Sequence, residues 1–171
     1  MSKQWKRRNA QEEEEETEEE EGTYVKVIDN NVYFYADVSS ESVIELICAI
    51  KTLTKKLQIV GITYGIDSPA INLYIHSDGG EVHSALSVFD MIKDNPVDVR
   101  TIVSGNASSA ATIISLAGHY RTITKNSYML IHNISSEFWG KMHEFEDEMK
   151  NMTKLTNNLK RIYKENTNLT K

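Results

Sequence analysis

The middle of the chain alternates between short apolar runs and stretches whose apolar residues lie three and four positions apart. The runs at 71–75 and 97–103 are typical of buried strands, and 82–92 between them has the spacing of an amphipathic helix. Residues 110–117 are apolar at almost every position, which predicts a helix buried on all sides with Gly118 as its C-terminal cap. Strands and helices in this alternation predict an α/β fold with a largely parallel sheet.

Weaker patterns precede this region. Residues 25–36 read as two short strands around an Asp-Asn-Asn turn, followed by a helix that Ser39 or Ser40 caps. The stretch 61–69 is interpreted as a loop. Cys48 is the only cysteine and falls within the helical pattern, so we expect a small buried hydrophobe and no internal disulfide.

Three more elements are predicted after residue 118. Strands are expected at 120–123 and 128–131, and a long amphipathic helix over about 141–163. The apolar stripe of that helix is longer than a domain of this size covers, which indicates contact with another subunit. No apolar run approaches the roughly 20 residues of a membrane-spanning helix.

Charge is concentrated at the N-terminus. Residues 1–22 hold nine glutamates against four basic residues, a balance of −5 in a chain of net charge −6. This segment is predicted to be a disordered acidic arm before a domain at 23–171, and a partner-binding arm is the alternative. The near-neutral remainder has no basic face for nucleic acid, and no secretory signal is visible, so we expect a cytoplasmic protein without nucleic-acid or membrane partners.

Two strand-to-helix turns carry residue types found in serine hydrolases. Gly79 and Gly80 would let a ligand approach the backbone closely and would present free N–H groups, although a simple tight turn also explains them. Ser109 lies where a helix begins and where the helix dipole favours negative charge, with helix capping as the alternative and Ser108 as a competing nucleophile. The N–H of Ala110 would be the second oxyanion donor.

A serine hydroxyl needs a base near neutral pH, and the chain has five histidines. His76 and His132 both end apolar strands, where active-site residues of α/β folds lie, and the residues alone leave this choice open. His119 and His143 are expected to be exposed, and His83 lies one turn into a helix. No spacing matches a zinc site and no phosphate-binding glycine motif is present, so no metal or cofactor is expected.

Three segments occur in the order of one known family. They are Leu-Tyr-Ile-His-Ser-Asp-Gly-Gly-Glu-Val at 73–82, Ser-Gly-Asn-Ala-Ser-Ser-Ala-Ala at 104–111 and Lys-Asn-Ser-Tyr-Met-Leu-Ile-His at 125–132. Over about 24–171 the chain resembles the proteolytic subunit of the Clp protease, ClpP, whose motifs read L-Y-I-N-S-P-G-G-x-V, G-x-A-A-S-M-G-A and P-N-S-R-V-M-I-H. The resemblance implies a ClpP/crotonase-like fold of repeated ββα units with a protruding handle helix.

The resemblance also implies roles for individual residues. It places the nucleophile at Ser109 rather than Ser108, the base at His132, and the oxyanion-binding N–H groups at Gly80 and Ala110. It implies a serine endopeptidase subunit without cofactors, assembled with copies of itself in stacked heptameric rings. An AAA+ Clp-type unfoldase would deliver unfolded protein substrates.

The chain departs from the family pattern at several positions. Asp78 stands where the family has proline, His76 replaces asparagine and Ala111 replaces glycine. The family's triad aspartate follows the handle helix and has no counterpart before Lys171, so the chain is expected to be truncated relative to the family. A catalytically impaired ring subunit is therefore the alternative, and an acyl-CoA enzyme of the crotonase type, a third reading, leaves the serine and histidine unexplained.

Overall fold

Ten elements follow one another between residues 24 and 169, the part of the chain that this computed structural model describes. They are β1 (Val25–Ile28), β2 (Asn31–Tyr35), α1 (Ser40–Tyr64), β3 (Ile71–Ser77), α2 (Val82–Lys93), β4 (Val99–Ser108), α3 (Ala110–Leu116), β5 (Tyr120–Ile123), β6 (Tyr128–Leu130) and α4 (Met142–Asn166). The predicted acidic arm lies outside the described residues.

One sheet of six strands organises these elements. Its order is β1-β2-β3-β4-β5, and β6 pairs with the C-terminal part of β4. β1 and β2 are antiparallel, whereas every later pairing is parallel. The predicted α/β class and largely parallel sheet are confirmed.

Only one face of the central strand β3 is well buried. Ile71, Leu73 and Ile75 are fully buried, as the two-residue period of a strand requires when one face meets the core. The alternate residues Tyr74 and His76 face the other side and are half-buried or exposed. Parallel sheets are normally covered on both faces, whereas residues 24–169 leave the second face of this sheet open.

Helix α1 is longer than the sequence pattern indicated. Ser39 is its N-cap and accepts a hydrogen bond from the N–H of Ser42 at 3.2 Å, which confirms the predicted capping. The predicted loop over 61–69 is wrong in its first part, because the helix continues to Tyr64 and ends at Gly65 in the left-handed conformation, with φ of 63°. Gly61, the first residue of the predicted loop, lies inside the helix.

Two smaller expectations also fail. Cys48 is exposed on α1 rather than buried, because it falls on the side of the helix that faces away from the core. Helix α3 ends at Ala117 in a right-handed conformation, so Gly118 is not its left-handed cap. Gly118 is needed instead for close packing against the side chain of Thr101. Within residues 24–169, no helix is both long and apolar enough to cross a membrane.

Candidate active site

The strand that leads to Ser109 carries an irregularity. Ile75 pairs with Val103 but Ser77 pairs with Ala107, so β4 has two more residues than β3 over this interval. Gly105 lies in the bulge with φ of 110° and leaves the space that the His76 ring occupies. The bulge extends β4 beyond the predicted 97–103 and directs its end towards α3.

The side chain of His76 packs into this bulge and stabilises it. Its Nδ1 accepts a hydrogen bond from the N–H of Asn106 at 3.1 Å, and its ring packs against Tyr35 with centroids 5.4 Å apart. The hydrogen bond from Asn106 to His76 stabilises the bulge, which explains why a histidine lies at this position. Of the two strand-end histidines, His76 thus has a structural role.

Ser109 has an unusual backbone conformation. Its φ is 51° and its ψ is −123°, and among the described residues only Asp29 is another non-glycine residue at positive φ. Such a conformation costs about 1–3 kcal/mol and persists only where the surroundings enforce it. The hydroxyl makes no capping hydrogen bond within the described chain, so the capping explanation does not account for this serine.

The backbone of Ser109 is held on both sides. Its N–H donates to the carbonyl oxygen of Leu130 at 2.8 Å, and its own carbonyl oxygen accepts the N–H of Thr112 at 3.0 Å. The first bond continues the parallel pairing of β4 with β6, in which Ser108 lies opposite Leu130. Because His132 follows Leu130 by two residues, this pairing brings the histidine to the same end of the sheet.

The glycine turn packs directly against Ser109. A Cβ atom on Gly79 would lie 2.7 Å from the Cβ of Ser109, so no side chain fits there. The Gly79 carbonyl and the Glu81 N–H both bond to the backbone of Val38, at 2.7 and 2.8 Å. Gly80 lies opposite Val38 in a parallel bridge whose two hydrogen bonds are made by the neighbours of Gly80, so the N–H of Gly80 itself points away from Val38.

Glu81 fastens the turn to helix α1. Its carboxylate accepts hydrogen bonds from the hydroxyls of Ser84 at 2.6 Å and Ser40 at 2.9 Å. These two bonds lower the pKa of the Glu81 carboxyl below its ordinary value, and the bond from Ser84 has the larger effect. The turn is therefore tied to the start of α1 and to the first turn of α2.

A cavity of about 480 Å³ opens beside Ser109. The four residues that the resemblance picked out all line it: Gly80, Ser109, Ala110 and His132. The N–H of Ala110 is at the first position of α3, where no intrahelical acceptor exists. A hydroxyl, an imidazole and two backbone donors are the groups that acyl transfer from a carbonyl compound requires.

Ser108 does not share this cavity. It is 6% exposed, and its hydroxyl donates to Asn106 Oδ1 at 2.8 Å. The Asn106 side-chain amide in turn donates to the carboxylate of Asp78. Asp78 is therefore engaged by Asn106 and is not among the residues that line the cavity.

The histidine of the site is less constrained. His132 lies in an exposed segment after β6, and its side chain makes no hydrogen bond within residues 24–169. No aspartate or glutamate lines the cavity in the described part of the chain. A loose serine–histidine geometry is common in unliganded sites and tightens when substrate binds.

Sequence reasoning missed part of the lining. Lys160 and Tyr163 of α4 reach the cavity, and Thr112 hydrogen-bonds to Tyr163 just beneath it. Burial raises the pKa of the Tyr163 hydroxyl above its ordinary value, and the hydrogen bond with Thr112 lowers it by less. The helical spacing that includes Leu159 is the available signal, but it indicates a packing stripe and not a site. The described residues contain no cluster of potential metal ligands.

Comparisons with known proteins bear on the family and the fold of this chain. A family model described as Clp protease matches residues 27–171. The ATP-dependent Clp protease proteolytic subunit of Deinococcus radiodurans is 34% identical over 101 residues, which make up 58% of this chain and 50% of that protein. A solved structure of a ClpP1 variant from Listeria monocytogenes is similar with a TM-score of 0.70 at 22% identity, over 83% of this chain and 74% of that one.

The fold and the family match define the class. The chain belongs to the Clp protease family, and its α/β fold is the ClpP-like fold that the three motifs predicted. The matched region spans half the length of the Deinococcus relative.

Proposed function

We propose that this chain is a serine-type endopeptidase subunit of the Clp kind. His132 takes the proton of the Ser109 hydroxyl while the serine oxygen attacks a peptide carbonyl carbon. The N–H groups of Gly80 and Ala110 bind the oxygen that becomes negative. His132 then gives its proton to the leaving amine, and water releases the acyl group from Ser109 by the same route in reverse.

One observation carries this proposal. Ser109 is held at a φ of 51° at the edge of a cavity that His132, Gly80 and Ala110 also line. A serine that served only to cap α3 would not need this strained conformation, and its hydroxyl would bond to the helix. The neighbouring Ser108 is buried and bonded to Asn106, so it offers no competing nucleophile.

Covalent labelling with a fluorophosphonate probe tests the assignment. Intact-mass spectrometry of the full chain should show one adduct, absent from Ser109→Ala and strongly reduced in His132→Ala. Ser108→Ala is the matched control, since it removes the adjacent hydroxyl and should still be labelled. Labelling of Ser109→Ala at the wild-type rate would show that the nucleophile lies elsewhere.

Assembly and partners form the second part of the proposal. We propose that copies of the chain associate through α4 and the open sheet face into stacked heptameric rings in the cytoplasm. An AAA+ Clp-type unfoldase would feed unfolded proteins into the enclosed chamber. Support comes from α4, where Met142 is 78% exposed and Met149 is 69% exposed. Side chains of this size and apolarity in one stripe are typical of an interface.

Sedimentation velocity tests the assembly. Met149→Glu should shift the chain towards smaller species, because a charge at this position would be buried against the partner. Lys154→Glu, a charge change at an exposed position of the same helix, should not. Equal sedimentation of the two variants would argue against association through this stripe.

A catalytically impaired ring subunit remains the second candidate. It is favoured by the cavity lining, which offers His132 no carboxylate among the described residues. In the serine-protease triad, loss of the orienting aspartate costs about 10⁴-fold in rate. Co-assembly with an active relative, together with no labelling of this chain inside the complex, would support this second function.

A further inference from the structure

A hydrogen-bonded chain connects helix α4 to the backbone of Ser109. The Tyr163 hydroxyl contacts Thr112 Oγ1, and Thr112 Oγ1 also contacts the carbonyl oxygen of Ser109. A threonine hydroxyl has one proton to donate, and a carbonyl oxygen can only accept. Thr112 therefore donates to Ser109, and Tyr163 must be the donor to Thr112.

Tyr163 is well suited to remain a donor. Its ring lines the cavity beside Ser109 and is partly buried, next to the buried residues Leu159 and Ile162 of the same helix. Burial raises the pKa of the Tyr163 hydroxyl above its ordinary value of 10.0. The phenol therefore keeps its proton throughout the neutral range, and the direction of the chain of bonds does not change there.

Ser109 needs support on its carbonyl side. Its N–H is fixed by Leu130 at 2.8 Å, whereas within residues 24–169 its carbonyl is held only through Thr112, by the N–H at 3.0 Å and by the hydroxyl. The ψ angle of Ser109, −123°, sets where that carbonyl points and, with φ, where the side chain points. A second bond to the carbonyl restricts ψ more than the N–H of Thr112 does alone.

We propose that Tyr163 is a positioning residue that acts through Thr112 to fix the carbonyl group of Ser109, and with it the direction of the Ser109 hydroxyl. The inference rests on the proposed function of Ser109 as nucleophile. It goes beyond that function because it gives α4 a part in the reaction besides association. The Tyr163 hydroxyl bonds to Thr112 and not to Ser109, so removing it should change the rate of the covalent step rather than binding.

The kinetics of fluorophosphonate labelling test this effect. Tyr163→Phe keeps the ring and removes only the hydroxyl, and should lower the limiting labelling rate about tenfold, the effect of one hydrogen bond. The probe concentration at half-maximal rate should not change. Tyr74→Phe is the matched control, because Tyr74 stacks on Tyr33 in the sheet and does not line the cavity.

Variants of Thr112 show whether Tyr163 acts through it. Thr112→Val removes the hydroxyl at nearly constant shape and should slow labelling, and Thr112→Ser should restore much of the rate. The double variant of Tyr163→Phe with Thr112→Val should be no slower than Thr112→Val alone. An equal tenfold loss on both backgrounds would overturn the proposed route through Thr112.

A readout independent of activity separates this inference from the proposed function. The carbonyl ¹³C resonance of Ser109 should move in Tyr163→Phe and stay in place in Tyr74→Phe. An unmoved Ser109 resonance, or labelling of Tyr163→Phe at the wild-type rate, would overturn the inference. If the wild-type chain is not labelled, the proposed function fails, and the carbonyl resonance alone decides whether Tyr163 positions Ser109.

Discussion

The two sides of the cavity are built very differently. On the serine side, the N–H and carbonyl groups of Ser109 are both bonded, and the following helix α3 consists of seven buried residues. On the histidine side, every residue of β6 is exposed, and His132 lies in the extended segment between β6 and α4. Within residues 24–169, the proposed nucleophile and oxyanion donors are therefore held firmly, whereas the proposed base is held only by the pairing of β6 with β4.

The difference has a physical origin in where buried area is available. Ser109 is flanked along the chain by the core residues Ala107, Ala110 and Ala111, so a displacement of this segment would expose apolar core. On the histidine side, Tyr128 is 60% exposed and Leu130 is 51% exposed. Little buried apolar area is therefore lost if β6 separates from β4. Segments with few buried contacts open at low cost, and exposed apolar side chains in sequence are often covered by a partner.

His132→Ala should have a large effect on activity and none on stability, the largest such contrast among these variants. Labelling of Ser109 should fall by about 10²–10⁴-fold, the usual contribution of a general base, while the thermal midpoint stays the same because the imidazole is exposed. Intact-mass kinetics and circular dichroism measure the two quantities, with His143→Ala on α4 as control. Labelling that survives in His132→Ala would point to Lys160, the other basic group in the cavity lining.

Gly79→Ala should damage the serine side most. The new Cβ would meet Ser109 Cβ and the Ser108 carbonyl oxygen at 2.7 Å, at a φ of 103° that disfavours side chains. We expect a loss of about 3 kcal/mol in the free energy of unfolding, measured in urea, from overpacking and backbone strain together.

Gly65→Ala is the matched control for this loss. Gly65 also has positive φ, 63°, but a Cβ there would meet nothing within 4 Å. Only the backbone term remains, so about 1 kcal/mol should be lost. Equal losses of unfolding free energy at the two glycines would mean that the close contact between Gly79 and Ser109 does not make the Gly79→Ala substitution more destabilising.

Ser109→Gly should distinguish the backbone strain at Ser109 from the reactivity of its hydroxyl. Glycine adopts a φ of 51° without the penalty that serine bears, so this variant should lose labelling and gain about 1 kcal/mol in the free energy of unfolding. Ser109→Ala should lose labelling without that gain, because alanine keeps the Cβ. If Ser109→Gly unfolds at the same urea concentration as Ser109→Ala, the surroundings do not store strain at this residue.

The smallest expected effect concerns the Glu81 bonds that fasten the glycine turn. Since the pKa of the Glu81 carboxyl is lowered in the folded state, its ionised form stabilises the fold above the ordinary value of 4.5, and this stabilisation is lost as the pH falls through the lowered pKa. Ser84→Ala should therefore destabilise the protein at pH 7 and not at the lowest pH where it remains folded. Urea unfolding across this range checks the sign, and a deficit independent of pH would rule out the ionised carboxylate as its cause.

Much of the candidate site was predictable because its signals are local. Gly79 and Gly80 after one strand and Ser109 after the next are short patterns, and parallel strands place their carboxyl ends at one edge of the sheet. The choice between His76 and His132 needed either the family resemblance or the structure. Both histidines end a strand, and only the bulge at Gly105 explains why His76 is used to bond Asn106.

What the sequence by itself determined is the succession of strands and helices, the family, and the short motifs around Ser109, since each depends on residues that are neighbours along the chain. Only the tertiary structure decided that Gly61 lies within a helix, that Cys48 faces outwards, and that Tyr163 bonds to Thr112, 51 residues away. The direction in which a side chain faces, and the residue it meets across the core, are set by packing between distant segments. Periodicity along the chain carries no information about such pairs.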